Sequence, residues 1–335
     1  MAVSLAESKN NATTDVDVQV IDEFRKTGVV PDSLIFDDVV NPAGGGDTLA
    51  HSYRRLKTQA TASTRAINSE YTDQNVETEL FTTELAVFGG SFSVDRVTRR
   101  LGPAASSNVA LNMEQKIKAS NAKFADLVIN GDRATDSNAF DGLDKALVGT
   151  STELGLGVVT DWSDFDTNAR AEHKALDRID EFLSQLDGAP ALILGNRFSL
   201  ARVRAAARRA GMYTRNPIED LLGPDGRPIE REMYGNVVFG DAGQKAGSTD
   251  EIIPVSTRTV GGSSVTGLTD LYAYRVGLDG FCGVSTIGGQ LAQAYLPAND
   301  NASGALKRYE VEMGPVAVEL RATKAAAVLR NVKVR

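Results

Sequence analysis

The longest hydrophobic periodicity runs from Pro103 to Gly131, where Val109, Met113, Ile117, Phe124 and Val128 recur at spacings of four and seven. Those positions share one helical stripe, and the opposite face is polar, which predicts a helix about 40 Å long at 1.5 Å per residue lying across a sheet. Proline near its start and glycine just past its end match the usual helix boundaries. Leu176, Ile179, Phe182, Leu183 and Leu186 predict a second amphipathic helix over 168–187. A buried strand, ALILG (191–195), follows, and Asn196 caps a third helix whose face is Ser199, Val203, Ala206 and Ala210. Three prolines over 216–236 predict a loop. Strand signals resume at VVFGD, EIIPV, LYAYRVG and FCGVSTI. The C-terminal stretch alternates through Tyr309, Val311, Met313, Val316, Val318, Leu320, Val328, Val332 and Val334, which predicts antiparallel strands with one wet face. Helices and strands interleave without a steady βαβ rhythm, so the fold class is α+β.

The first 79 residues have a different texture. A polar tail precedes a short amphipathic helix over 18–28 and an extended segment ending in NPAGGGD. Residues 1–50 hold nine acidic side chains against Lys9, Arg25 and Lys26, and read as an arm, not a domain. From 41 to 79, Leu49, Tyr53, Leu56, Ile67, Tyr71 and Val76 are the large apolar residues, too few for a core. The stretch SYRRLKTQATASTRAINSEYT predicts a long polar β-hairpin hinged at Gly44, Gly45 and Gly46. Such a hairpin is marginal alone and is expected to be mobile or to lie on a neighbouring molecule.

Composition narrows the chemistry. The 335 residues carry 36 basic and 44 acidic side chains, a net charge of −8, so any grip on nucleic acid is local. Cys282 is the single cysteine, which excludes an intramolecular disulfide framework and suits a reducing compartment. There is no secretory signal and no run of 18 apolar residues, so no membrane partner is expected, and the Asn11 and Asn301 sequons carry no weight. Phosphate-loop, zinc-protease and EF-hand motifs are absent, and Gly155, Gly157, Gly261 and Gly262 mark turns. His51, at the hairpin root, and His173, in the turn AEHKALD, lack the apolar surroundings of a catalytic base. Cys282, in GFCGVS, reads as packing. Asp164 and Asp166 read as helix-capping acids, and Asp37 with Asp38 is one of many adjacent acidic pairs. No catalytic residue, cofactor site or metal site is assigned. The concentrated basic feature is Arg197, Arg202, Arg204, Arg208, Arg209 and Arg215, with no acid from 197 to 215. Few aromatics accompany it, so a subunit interface is preferred over a nucleic-acid patch.

In order, these parts resemble the major capsid proteins of tailed bacteriophages, which have the Hong Kong 97-type fold. VIDEFRKTGVVPDSLIF resembles the opening of the family's arm, and LVINGD with AFDGLDKAL its long helix and sequel. LGNRFSLARVRAAARRAG resembles its axial strand and helix, and YEVEMGPVAVELRATKAAAVLRNVKV its closing strands. The resemblance implies an N-terminal arm (1–47), an extended β-hairpin loop (48–78), a peripheral domain (79–189 and 291–335) with a spine helix (104–131), and an axial domain (190–290). It implies a non-enzymatic virion subunit, made in the host bacterial cytoplasm, that forms homo-pentamers and homo-hexamers around double-stranded DNA without binding it specifically. A portal and a decoration protein are implied partners, and a separate scaffolding protein is expected because the arm begins near Met1 instead of following a long processed segment. Expected inter-subunit residues are Arg54, Arg55, Lys57 and Arg65 on the hairpin and Arg197, Arg202, Arg204, Arg208 and Arg209 on the third helix. Lys57 and Asn331 would be the candidates for the isopeptide cross-link of some members, although no clear motif supports it. The alternatives are a shell subunit of a protein-cargo nanocompartment of the same fold and, from another class, a small-molecule enzyme using carboxylates.

Overall fold

A computed structural model describes residues 29–40, 49–98, 108–211, 214–222, 228–234, 237–286, 292–297 and 304–335. The helix expected over 18–28, the Gly44–Gly46 hinge and the Pro103 helix start lie outside the described residues. From the arm, α1 (Val30–Ser33) and β1 (Phe36–Val40) pack on this chain's own core. Val30 is fully buried, the Phe36 ring lies 6.0 Å from that of Phe124, and β1 pairs in parallel with β13 (Phe281–Thr286).

The expected hairpin is present as β2 (Ala50–Leu56) and β3 (Thr78–Glu84), a two-stranded antiparallel ribbon. Its paired part begins at the root, and residues 57–77 form an exposed excursion without regular pairing. β4 (Ala86–Asp95) then leads to the long helix α2 (Asn108–Asn130). The C-terminal half of α2 is buried through Phe124, Leu127, Val128 and Ile129, and its N-terminal half lays Val109 and Met113 over Phe92, Val94 and Tyr309.

β13, β14 (Ala292–Tyr295) and β4 all pair with β15 (Leu306–Leu320), and β1 extends that sheet beyond β13. Along β15 the predicted alternation holds from Lys307 to Met313, but Val316–Leu320 is buried on both faces. The expectation of one wet face fails there because the core covers one side and the hairpin root the other: Tyr53 Oη donates to the Leu320 carbonyl at 3.1 Å.

Among the described residues a nine-stranded sheet runs β5 (Glu153–Leu154), β16 (Ala326–Lys333), β12 (Ser263–Tyr274), β7 (Leu192–Gly195), β10 (Val237–Asp241), β9 (Pro228–Tyr234) and β8 (Thr214–Leu222). β6 (Thr160–Asp161) joins β16 and β11 (Ser256–Val260) joins β12. The short α3 (Leu143–Leu147) contributes Leu143 and Leu147 to one core, while α4 (Ala171–Leu183) and α5 (Arg197–Arg209) cover the sheet over a second core including Trp162, Ile179, Phe182 and Val203. β16 is buried on both faces between these layers, another departure from the predicted wet face.

Two further expectations change. Residues 214–222 and 228–234 are paired strands instead of a loop; Pro217 lies on the edge strand β8 and Pro228 opens β9, the two places where proline is tolerated in a sheet. EIIPV is not a strand, because the Asn130 and Asn196 side-chain amides take the carbonyls of Ile252 and Ile253 at 2.8 and 2.9 Å. Sheet membership also crosses the segment boundaries at 190 and 290: β13 sits beside β15, whereas β16 pairs with β12.

Candidate assembly surface

The hairpin projects because its sequence holds it together without burying it. Across the ribbon Tyr53 stacks on Phe81 with ring centroids 5.7 Å apart, and the Arg55 guanidinium lies 4.1 Å above the Phe81 ring. Ser52 and Thr82 hydroxyls meet at 2.9 Å on the exposed side. Beyond the ribbon, the amides of Lys57 and Thr58 donate to the Glu77 carbonyl at 2.8 and 3.3 Å, and Thr61 Oγ1 donates to Gln74 Oε1 at 2.5 Å. Ile67 and Tyr71 stand 90% and 60% exposed at the far end, with Leu56, Val76 and Leu80 also exposed along the way. Isolated exposed apolar residues are ordinary; here a series of them lies along one projecting element.

The hairpin root is fastened by a charged network. His51 Nδ1 lies 2.8 Å from Glu319 Oε1, and Arg321 donates from Nε to Glu319 Oε2 at 3.0 Å and from Nη2 to Asp37 Oδ2 at 2.8 Å. Arg55 donates to the carbonyls of Leu320 and Arg321. The Glu319 side chain has no solvent exposure, so pairing makes its burial tolerable. Hairpin, β15 and arm segment therefore meet in one knot. Between the root and the Arg133–Lys145 turn lies a cavity of about 380 Å³ lined by Arg55, Phe81, Arg133, Asp141 and Lys145 among others.

Of the hairpin cations, Arg54 is exposed, Arg55 is committed to its own chain, Lys57 reaches Glu77 at 3.9 Å, and Arg65 bonds the Ala66 and Ser69 carbonyls. On α5 the Asn196 side chain accepts from the amides of Phe198 and Ser199, as its capping position predicts. Arg197 pairs with Glu251 at 2.8 Å, Arg202 Nε donates to the Val334 carbonyl at 3.0 Å, and Arg209 clasps Asp166 with both nitrogens at 2.5 and 3.2 Å. Arg204 and Arg208 are exposed on the outer face of the helix. Of the five arginines expected to act together, Arg197, Arg202 and Arg209 are thus held by groups of their own chain.

The remaining candidates occupy structural roles. Cys282 is fully buried, and burial pushes its thiol up to about 11. His173 is exposed on α4, 3.9 Å from Glu172. Asp164 and Asp166 do not cap α4, whose N-cap is Arg170. Asp164 accepts from the Asp166 amide, and Asp166, held below the usual carboxylate range by Arg209, ties the loop to α5. Asp38 takes a bond from Ser285. Asn331 is 8% exposed and donates to the Gly155 carbonyl at 3.0 Å, a position unsuited to cross-linking in this conformation. Sequence reasoning missed Glu319 and Arg321, which come together with His51 through pairings hundreds of residues apart. Among the described residues no group of three or more His, Cys, Asp or Glu could hold a metal ion, and no helix is long and apolar enough to cross a membrane.

No protein-family model matches the sequence, and no curated protein matches it. Solved structures do match over nearly the whole chain. The SrpI encapsulin complex of Synechococcus elongatus PCC 7942 has a TM-score of 0.58 at 14% identity, covering 100% of this chain and 97% of that one. A native GTA particle capsid gives 0.56 at 13%, over 96% and 94%. The capsid of Myoviridae phage XM1 gives 0.55 at 12%, over 98% and 99%. This chain therefore has the Hong Kong 97-type fold that viral capsids and encapsulins share.

Proposed function

We propose that this chain is the major capsid protein of a tailed bacteriophage, a structural subunit that closes into an icosahedral shell of pentamers and hexamers around double-stranded DNA. The carrying observation is the hairpin: on a shell-subunit fold, residues 57–77 project with Ile67 and Tyr71 exposed, while their root is locked to β15 and the arm. A rigid root with an unburied tip is the form of an element that finishes its packing on a neighbouring copy. Many such contacts sum to a stable lattice even when each is weak. The exposed Arg54, Lys57 and Arg65 belong to this contact, and Arg204 and Arg208 to another. The nine-stranded sheet with α4 and α5 would gather at the symmetry axes, and the β15 sheet with α2 would form the periphery.

The net charge of −8 suits a container whose contents must stay movable. A portal, a scaffolding protein and a decoration protein are the further partners, assembly takes place in the bacterial cytoplasm, and the product is the virion. The second reading, a shell around protein cargo, is favoured by the encapsulin match. The test is to replace residues 59–76 by Asn-Gly, which the Lys57–Glu77 pairing can accept as a tight turn. The expected result is folded subunits that no longer form shells, read by sedimentation and circular dichroism. Normal shells from that variant would overturn the role of the hairpin. Nuclease-resistant DNA in particles purified from infected or induced cells supports the capsid reading; particles holding only protein support the compartment.

A further inference from the structure

The end of the nine-stranded sheet formed by β5 and β6 is interrupted by a tight turn. The Val158 amide donates to the Gly155 carbonyl at 3.3 Å and Gly157 takes a φ of +73°, so residues 155–158 form a type II turn with Leu156 at its corner. The turn is fastened to β16 behind it. Asn331, itself left-handed at a φ of +58°, donates from Nδ2 to the Gly155 carbonyl at 3.0 Å, and a methyl group on Gly155 would lie 2.4 Å from the Arg330 carbonyl oxygen. Two glycines and one left-handed asparagine thus hold the Leu156 corner in place.

Turn corners ordinarily carry Gly, Pro, Asn, Asp or Ser. Here Leu156 is 63% exposed, Val158 is 59% exposed, and Val148, beside the Gly149 amide that donates to Glu153, is 64% exposed. Three such residues on one anchored loop are a concentration of apolar surface that the folding of this chain leaves unburied. Glu153 is the single charged side chain from 148 to 160, and it is 3% exposed and takes the Arg330 guanidinium at 2.8 Å. The loop therefore offers no cation to a polyanion such as DNA. Both faces of the sheet behind it are filled by the chain itself: Leu192, Tyr272 and Val328 belong to one core, and Ile193, Ala273 and Leu329, the next residues along the same strands, belong to the other. What the sheet leaves to another molecule is its ends.

Resting on the shell reading, we infer that Leu156 and Val158 form a fixed apolar knob that a second copy of this chain covers. In a closed shell each subunit is bordered by copies of itself, and this knob stands at an end strand of the sheet, not on a covered face. A preformed corner loses little conformational freedom on docking. Its lack of free charge matches the buried centre of a homomeric interface, which is apolar and poor in charged residues.

Two full-length variants test this. Leu156→Ser with Val158→Ser is expected to leave thermal unfolding of the dissociated subunit unchanged and to raise the concentration needed for assembly by about tenfold, read by sedimentation and electron microscopy. Leu156→Cys is expected to react with a maleimide readily in the dissociated subunit and about tenfold more slowly in shells made of this chain alone, while the fully buried Cys282 stays silent. A double variant that assembles like the wild type would overturn the inference, and so would an introduced thiol that reacts equally fast in shells. A thiol protected only in particles that carry other proteins would also overturn it, because the knob would then belong to a different partner. Should the double variant fail to fold, protection of the introduced thiol decides. A wild type that never assembles overturns the shell reading as well, whereas wild-type shells with an unprotected thiol overturn this contact alone.

Discussion

His51 Nδ1 stands 2.8 Å from Glu319 Oε1, and this contact spans 268 positions of sequence to fix the root of the projecting hairpin to the buried end of β15. Removing the imidazole leaves Glu319 its partnership with Arg321, so the fold should survive while the root loosens. For His51→Ala the expected loss of stability is about 1 kcal/mol, with faster hydrogen exchange at the amides of β2 and β3. Unchanged exchange there would show that the contact does not hold the hairpin.

Arg321 is the more critical member of the same network. It bridges Glu319 and Asp37, and Glu319 is without solvent exposure. Arg321→Met should cost roughly 3 kcal/mol or more in denaturant unfolding, because it strands a buried charge. The double variant Arg321→Met with Glu319→Gln should recover part of that loss.

Gly131 and Gly142 bring two backbone segments together after α2, with the Gly142 amide donating to the Gly131 carbonyl at 2.8 Å. A methyl group on Gly131 would collide with the carbonyls of Phe140 and Leu127, and one on Gly142 with the Leu127 carbonyl and the Gly131 amide. Alanine at either position should destabilise the chain by about 2 kcal/mol or more, measured by thermal unfolding.

The Cys282 thiol, raised by burial to about 11 from 9.0, links stability to alkaline pH. The unfolded thiol loses its proton before the folded one, so stability is complete below pH 9 and falls as pH rises toward 11. Wild type should therefore lose up to about 2 kcal/mol more than Cys282→Ala over that interval. Native Cys282 should also resist thiol reagents at pH 8.

The parts legible from sequence were those governed by local rules. α2, α4, α5 and the Asn196 cap follow from periodicity and capping chemistry, and the hairpin follows from a stretch too polar to bury itself. The parts that were not legible depend on distant pairing. Nothing local tells Pro217 that it lies on a sheet edge, or sends β16 to β12 instead of β15. The surface was half legible for the same reason: the basic character of α5 is written in order, but the division between Arg209, held by Asp166, and exposed Arg208 needs the fold.

Electron microscopy of the full-length protein, expressed alone and together with the genes beside its own, decides whether this chain builds a shell. Closed icosahedral shells, or rings of five and six subunits, are the predicted result. A uniform monomer or dimer under both conditions would contradict it.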